Sequence, residues 1–245
     1  MKKPILILLS IIALISCKKE NDESSLKIEN YPMSVGTEWT YESQVISKYY
    51  ESETSENIID IDTVKLSTQI WIEKDTILND TMNVKIFKTG TDGGAFTEFK
   101  YMDNEGLKTY AHIVGEIGMV TSLNENLKSC LGQILVENKP LLDIQLPLKR
   151  NSEWIYSPYI SKKVIGKENI KVEDQDFSCY KVEWTYDENL DYGVIITEWI
   201  SEKGLIKKQT VHDKAVGTID PFDPESKHII FQNTIIETLT ELKIE

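Results

Sequence analysis

Residues 32–41, PMSVGTEWTY, return later in the chain as residues 147–156, PLKRNSEWIY. Proline, glutamate, tryptophan and tyrosine stand at identical spacing in the two stretches. In each stretch the tryptophan and the tyrosine are two residues apart, so an extended strand would place both rings on one face of a sheet. The repeated stretch therefore predicts two equivalent β-strands.

A second pair of matching stretches follows in the same order. Residues 96–99, FTEF, precede Gly106, and residues 196–199, ITEW, precede Gly204. Two matched signatures in one order predict a tandem duplication. The copies are 115 positions apart at the first signature and 98 at the glycines, so the first copy carries 17 more residues between its signatures. We expect that excess in a long, polar hairpin loop around residues 49–61.

The remaining sequence predicts a mainly β fold. Turn-forming residues separate the alternating runs at positions 92–94, 103–106, 187–193 and 202–204. Residues 229–244 are rich in isoleucine and threonine and predict one long closing strand. An antiparallel meander of about ten or more strands rarely stays flat, so we expect a half-barrel or a barrel-like sandwich.

The segment between the two copies has a different pattern. Leucine and isoleucine recur at helix-like spacing within residues 122–138, which predicts a short helix. The expected organisation is a single β-rich domain over residues 31–245. It contains two repeats, at about 31–121 and 146–245, joined by a connector at 122–145.

The N-terminus has the layout of a signal peptide. Lys2 and Lys3 precede an apolar run over residues 5–15 that is too short to span a bilayer and ends before Cys17. The tetrapeptide Leu-Ile-Ser-Cys at 14–17 resembles the lipobox of bacterial lipoproteins. This resemblance implies cleavage before Cys17 and a covalent diacylglycerol and N-acyl lipid on that cysteine, which would be a durable anchor.

The residues behind Cys17 are polar and charged. Residues 18–30 have the composition of a flexible tether. Their lysines followed by acidic residues resemble the segment after the lipidated cysteine of surface lipoproteins in Bacteroidetes-type bacteria. The resemblance implies an outer-membrane lipoprotein of the cell envelope, with surface exposure as a further expectation.

The charge of the chain excludes one class of partner. The formal net charge is −13, and removal of Lys2 and Lys3 with the leader makes it −15. Nucleic-acid binding requires a positive surface that neutralises phosphates, so we do not expect it. Membrane attachment should therefore rest on the lipid anchor, because an acidic surface is repelled by anionic lipids.

Aromatic residues are the first candidates for a binding site. The repeated signatures contribute rings that could line a pocket or stack on a sugar, at Trp39, Tyr41, Trp154, Tyr156 and Trp199. Equivalent rings in two copies are also what a duplicated core would use for packing. The sequence favours packing.

An acidic loop is the candidate metal site. Asp187, Asn189, Asp191 and Glu198 provide oxygen ligands at spacings that could hold calcium. The glycine stands one place later than an EF-hand loop requires, and the loop joins strands rather than helices. An acidic hairpin turn without an ion is the favoured interpretation, and no other cofactor is expected.

Two cysteines remain after the leader. Cys130 and Cys179 could form a disulfide in an oxidising envelope compartment. Two buried free thiols are the favoured alternative, since sequence cannot place the two Cα atoms within bridging distance.

Three functions stay open. A non-catalytic envelope lipoprotein that binds a protein or glycan partner requires nothing that the sequence lacks. A carrier of a lipid or another hydrophobic ligand predicts an apolar cavity above about 300 Å³, and the chain resembles lipoprotein-carrier envelope proteins in its expected curved sheet. A hydrolase is disfavoured, because His112, His212 and His228 stand in no catalytic or zinc-binding motif.

Overall fold

The computed structural model describes residues 27–91, 94–113, 133–187, 193–218 and 228–245. Within these ranges every regular element is a β-strand, and there is no helix that could cross a membrane. The strands form one antiparallel sheet that curls into a nearly closed barrel-like body. The predicted fold class is confirmed.

The first six strands form a meander in which each strand pairs with the next along the chain. They are β1 (Glu38–Tyr50), β2 (Ile58–Leu78), β3 (Met82–Thr91), β4 (Gly94–Met102), β5 (Gly106–Ile113) and β6 (Ile134–Gln145).

The remaining strands form a second meander, in which β11 pairs with β13 and the short β12 pairs with β13 alone. They are β7 (Glu153–Ser157), β8 (Ile160–Val172), β9 (Gln175–Tyr186), β10 (Val194–Ser201), β11 (Gly204–His212), β12 (Ala215–Thr218) and β13 (His228–Lys243).

The repeated signatures occupy corresponding strands of the two meanders. The Glu-Trp pair lies in β1 and in β7, and the Thr-Glu pair lies in β4 and in β10. Gly106 and Gly204 each begin the fifth strand with positive φ angles of 141° and 108°. A Cβ on Gly106 would collide with the carbonyl oxygen of Ile144, and one on Gly204 would lie 2.8 Å from the indole nitrogen of Trp39. Both positions therefore require glycine.

The two meanders meet at two junctions. At the first, β1 pairs with β13 over its whole length. At the second, β6 and β7 lie side by side without a ladder among the described residues. Here the Trp154 indole donates to the carbonyl oxygen of Leu142 at 2.9 Å, and the Lys162 ammonium donates to that of Asp143 at 3.0 Å. We call this second junction the seam.

Buried apolar side chains form three clusters. One surrounds Trp154, a second contains Trp39 and Trp199, and a smaller third surrounds Phe99. A large buried side chain contributes about 1.5–3 kcal/mol by leaving water. The signature tryptophans are therefore part of the packing that holds the sheet curled.

Two expectations about the connecting regions were wrong. Residues 134–138, predicted as the end of a helix, belong to β6 and pair with β5, while 114–132 lie outside the described residues. The additional residues between the signatures of the first copy lie mainly in strands. β1 has 13 residues and the corresponding β7 has 5, and β2 has 21 residues where β8 has 13. Only residues 51–57 form the loop between them.

The packed body begins before residue 31. Ile28 forms a bridge with Leu148 and is 1% exposed. Residues 1–26, which include Cys17 and most of the predicted tether, lie outside the described residues. A tether could therefore extend only to about residue 27.

Candidate functional site: a charged aromatic pocket

A pocket of about 250 Å³ lies inside the curled sheet, between the two larger apolar clusters. Both meanders contribute to its walls. Six aromatic residues line it: Tyr31, Trp39, Tyr41, Phe87, Tyr156 and Trp184. Six charged residues share the same walls: Glu98, Lys100, Asp143, Lys162, Glu198 and Lys208.

The repeated Thr-Glu signature supplies one carboxylate from each meander. Alternation along β4 and β10 buries Thr97 and Thr197 on one side of each strand and turns Glu98 and Glu198 to the pocket on the other. Three carboxylates and three lysines meet here, so the pocket is neutral overall. Such a set is stable in an interior only if its charges are paired.

The first ion-pair group is centred on Lys100 of β4. Its ammonium lies 2.9 Å from a carboxylate oxygen of Asp143 and 3.1 Å from one of Glu98. The hydroxyl of Thr109 also donates to the Asp143 carboxylate, at 2.7 Å. We call these residues the Lys100 group. It is the more open half of the pocket, because the Glu98 side chain is 26% exposed.

The second group is centred on Lys162 of β8. Its ammonium lies 3.0 Å from a carboxylate oxygen of Glu198, and the two side chains are only 4% and 10% exposed. The rings of Trp184 and Tyr156 lie 4.2 and 4.9 Å from the ammonium, so cation–π contacts complete its surroundings. We call these residues the Lys162 group.

Asp143 connects the two groups across the seam. Its carboxylate accepts from Lys100 and its main-chain carbonyl accepts from Lys162. Burial is the largest influence on the pKa of Lys100 and would lower it, but Asp143 and Glu98 together raise that pKa well above its usual range. Burial and then the charge of Asp143 raise the pKa of Tyr156. Lys100 is therefore charged and Tyr156 neutral at physiological pH.

Two hydrogen-bond donors of the pocket stay available. The Lys208 ammonium lies 5.9 Å from the ring of Trp184 and has no carboxylate or carbonyl partner within the described part of the chain. The buried indole nitrogen of Trp184 also lacks an acceptor among the described residues. An unmet buried donor such as the Trp184 indole is costly, and a bound oxygen could accept from it and from the half-buried Lys208 ammonium.

The five aromatic residues predicted from the sequence divide into two sets. Trp39, Tyr41 and Tyr156 line the pocket. Trp154 and Trp199 are each 4% exposed and do not line it. Their indole groups donate to Leu142 and to the Glu168 carboxylate instead.

Of the predicted calcium ligands, the structure describes Asp187 and Glu198, and these two lie far apart. Glu198 is paired with Lys162, and the register of β9 with β10 places it five residues along the strand from the level of Asp187, which is about 16 Å. Asn189 and Asp191 lie outside the described residues. Elsewhere in the described ranges, no group of three or more histidine, cysteine or acidic residues could hold a metal ion.

The remaining predicted residues lie away from the pocket. Cys179 is fully buried, and burial raises the pKa of its thiol to about 12. Cys130 lies outside the described residues, so its pairing stays a prediction. His112 contacts Glu137 at 3.3 Å, while His212 and His228 lie at strand ends. None of these histidines lines the pocket.

Sequence reasoning missed Tyr31, Asp143, Lys162 and Trp184. Lys162 and Lys163 are adjacent in one strand, and only the sheet's curvature decides that Lys162 faces inward. One signal was available in the sequence. Lys162 is two residues from Val164, and Trp184 is two and four residues from Val182 and Tyr180, and those three neighbours are buried. Such spacing identifies side chains that share one face of the sheet, but it does not identify the ion pairs on that face.

A second depression is larger and more open. It has a volume of about 580 Å³ and lies beside the hairpin of β2 and β3. Apolar side chains contribute much of its lining: Met33, Ile77, Val84, Tyr101 and Met102.

Comparisons with known proteins give only distant structural likenesses. No family model and no curated protein matches the chain. A solved structure of a candidate lipoprotein from Parabacteroides distasonis is similar at 12% identity and a TM-score of 0.33, over 87% of this chain and 97% of that one.

Two further solved structures are similar over 84% of this chain and 86% of theirs. A DUF1329 family protein from Desulfovibrio piger has 9% identity and a TM-score of 0.23. A candidate outer membrane lipoprotein-sorting protein domain from Vibrio parahaemolyticus has 8% identity and a TM-score of 0.20. At these TM-scores the likenesses support no inference about what this chain binds.

Proposed function

We propose that the chain is a non-catalytic, lipid-anchored envelope protein whose interior pocket binds a sugar unit of a glycan partner. The observation that carries this proposal is the combination of aromatic walls and paired charges in one small pocket. Aromatic rings offer apolar faces on which a sugar can stack, and carboxylates and lysines supply hydrogen bonds for its hydroxyl groups.

The size and charge of the pocket favour a small neutral ligand. Its volume of about 250 Å³ is below the range of about 300–1,000 Å³ that is usual for drug-sized ligands. Its three carboxylates and three lysines balance, so the pocket has no net charge that would favour an ionic ligand over a neutral one. The Lys208 ammonium, which has no ion-pair partner among the described residues, and the Trp184 indole would donate to oxygen atoms of the ligand.

The same geometry favours binding over catalysis. Glu98, Asp143 and Glu198 each have a lysine ammonium within 3.1 Å. Each of these carboxylates is occupied by an ion pair, whereas glycoside hydrolysis needs two carboxyl groups that face the scissile bond, one of them as a proton donor. A bound sugar would therefore be held without being cleaved.

Intrinsic tryptophan fluorescence tests the pocket, because Trp39 and Trp184 line it. We expect a saturable change on titration with at least one member of a panel of neutral monosaccharides. Lys208→Met should weaken that ligand at least tenfold. Lys207→Met is the matched control, since its ammonium lies over Trp199 instead. Equal affinity in all three proteins, or no saturable ligand, would refute the proposal.

Lipid anchoring has a separate test. Cys17→Ala should abolish acyl labelling and membrane retention, because the proposed anchor is attached to that sulfur. Labelling that persists in this variant would refute anchoring while leaving the pocket proposal intact.

A carrier of a hydrophobic ligand is the second candidate function. The open depression of about 580 Å³ favours it, since Met33, Ile77 and Met102 provide apolar surface. A fluorescent fatty acid should then bind the wild-type protein and bind Ile77→Lys at least tenfold more weakly. Equal binding by the two proteins would remove this candidate.

A further inference from the structure

Strand β2 continues well past its neighbour β3. It pairs with β1 from Ile58 to Trp71, whereas β3 joins it only from Thr68 onward. Within the described residues, nothing pairs with positions 58–67 on the side away from β1. On the other side of β1, its neighbour β13 pairs in turn with β11 and β12. Among the described residues, the extension formed by β13, β1 and β2 therefore has one open edge, on β2.

The open edge is apolar and exposed. Ile59 and Ile61 are 66% and 54% exposed. Ile58, Val64 and Leu66 are also exposed, at 45%, 48% and 40%. A long apolar strand with a free edge is the standard template for pairing with another extended segment.

Two aspartates occupy the hydrogen-bond donors of this edge. The main-chain N–H of Ile61 donates to the Asp60 carboxylate at 2.9 Å, and that of Thr63 donates to the Asp62 carboxylate at 2.7 Å. Ile72 of the same strand donates its N–H to the carbonyl oxygen of Thr37, on the β1 side. Because N–H groups alternate in direction along a strand, those of the odd-numbered Ile61 and Thr63 face away from β1. An incoming strand can bond to these two N–H groups only if they are released from the carboxylates.

The charges on the edge determine what kind of strand can do so. Asp60 and Asp62 lie on one face, and neither has a lysine or arginine partner in the described part of the chain. A second copy of this chain fits poorly. If two copies paired antiparallel about a two-fold axis at Ile61 or Asp62, carboxylates would lie opposite carboxylates. If the axis were at Thr63, both aspartates would lie opposite apolar side chains.

We propose that residues 58–67 are a docking edge for an extended segment of a partner protein, which adds a strand and places basic side chains opposite Asp60 and Asp62. The basic side chains bind the two carboxylates and release the N–H groups of Ile61 and Thr63 for the new ladder. Apolar side chains of the segment cover Val64 and Leu66 on the same face.

A pair of labelled peptides tests the proposal with the full-length protein. The probe is VTVTKVKVV and its matched control is VTVTEVEVV, both acetylated and amidated. We expect fluorescence anisotropy to show binding of the lysine peptide and at least tenfold weaker binding of the glutamate peptide. Asp60→Asn with Asp62→Asn should abolish this preference. A preference that survives in the double variant, or no binding of the lysine peptide to wild type, overturns the proposal.

Proline at Thr63 tests the edge itself. Its N–H faces outward, so Thr63→Pro removes a docking donor without removing a bond to β1, and edge strands tolerate proline. Thr63→Pro should bind the lysine peptide at least tenfold more weakly, whereas Thr63→Ala should bind it as wild type does. Undiminished binding by the proline variant overturns the proposal.

Hydrogen exchange supplies a readout that needs no variant. The amides of Ile61 and Thr63 should exchange at least tenfold more slowly when the lysine peptide is bound. Unchanged exchange at both amides overturns the proposal. It is also overturned if sedimentation shows that the wild-type chain is a dimer through this edge and that Thr63→Pro is not.

Discussion

Glu98 and Glu198 occupy the same position in the fourth strand of their meanders, yet their surroundings differ. Glu98 pairs with Lys100 two residues along its own strand and is 26% exposed. Glu198 pairs with Lys162 from β8, and that pair is 10% and 4% exposed. The comparison shows that one repeated signature can supply a solvated charge in one half of a pocket and a deeply buried one in the other.

The energetic consequence follows from burial. A buried ion pair costs much desolvation free energy and repays it only through its partners, so removing one partner leaves an uncompensated charge. A pair nearer water loses less, because solvent replaces the missing partner. The Lys162 group should therefore be much more sensitive to substitution than the Lys100 group.

The largest effect is expected for Lys162→Met. This change leaves Glu198 buried without a counter-charge and should lower the free energy of unfolding by about 3–5 kcal/mol. Urea denaturation followed by circular dichroism measures it. The matched control is Lys163→Met, which alters the exposed neighbour and should change stability by less than about 0.5 kcal/mol. Equal effects at the two positions would contradict the comparison.

A smaller loss is expected for Lys100→Met. Asp143 loses an ammonium but keeps the Thr109 hydroxyl, and Glu98 is partly solvated. The free energy of unfolding should fall by about 2 kcal/mol. The same denaturation experiment measures it, and a loss greater than that of Lys162→Met would reverse the order of the two halves.

Glu98→Gln should have the smallest effect on stability. Lys100 retains Asp143 at 2.9 Å, and the glutamine keeps the shape of the side chain. We expect a loss of at most about 1 kcal/mol. Glu198→Gln is the direct comparison and should cost more, because Lys162 would then have no carboxylate. Indistinguishable denaturation midpoints for the two glutamine variants would show that the two positions are equivalent.

Tyr31 gives a pH-dependent readout of the Lys100 group. Burial raises its pKa from 10.0 to about 12, and Lys100 is the largest influence that opposes this shift. Because the folded-state pKa lies above the unfolded one, the contribution of Tyr31 to stability is complete below pH 10 and is lost as pH rises toward 12.

Alkaline absorbance titration checks this point. Lys100→Met should raise the pKa of Tyr31 further, since it removes the cation that favours tyrosinate. Lys162→Met should change this pKa less, because Lys162 is not among the largest influences on it. A Tyr31 titration that Lys100→Met leaves unchanged would show that the Lys100 group does not influence the pKa of Tyr31. Tyr31→Phe identifies its signal among the other tyrosines.

Local patterns predicted most of the sheet. The spacing of Trp39 with Tyr41 identified β1, turn residues placed the hairpins before Gly106 and Gly204, and the run at 229–244 matched β13. These features depend on neighbours in sequence, which a single chain displays. The apolar spacing predicted a helix that the described residues 134–138 do not form, because Leu135 and Val136 owe their strand conformation to pairing with β5, a partner distant in sequence.

The site was much less predictable. Asp143 and Lys162 become neighbours only when the sheet curls and brings β6 beside β7. The surplus of the first copy was assigned to a loop because residues 51–57 are polar, yet most of it extends β1 and β2 and creates the open edge. Curvature and strand extension depend on the whole sheet, so neither can be read from a short stretch of sequence.

The seam has a mechanical consequence. Along the β1–β13 junction a row of main-chain hydrogen bonds, with one irregularity between Thr40 and Tyr41, shares any load. At the seam β6 is held instead by single side chains such as Trp154 of β7 and Lys162 of β8. A force that pulls the meanders apart should separate β6 from β7 first and leave the other junction as a hinge. The pocket would then open along its length, and the hydrogen bond from Lys162 to the Asp143 carbonyl oxygen is the contact that would keep it closed.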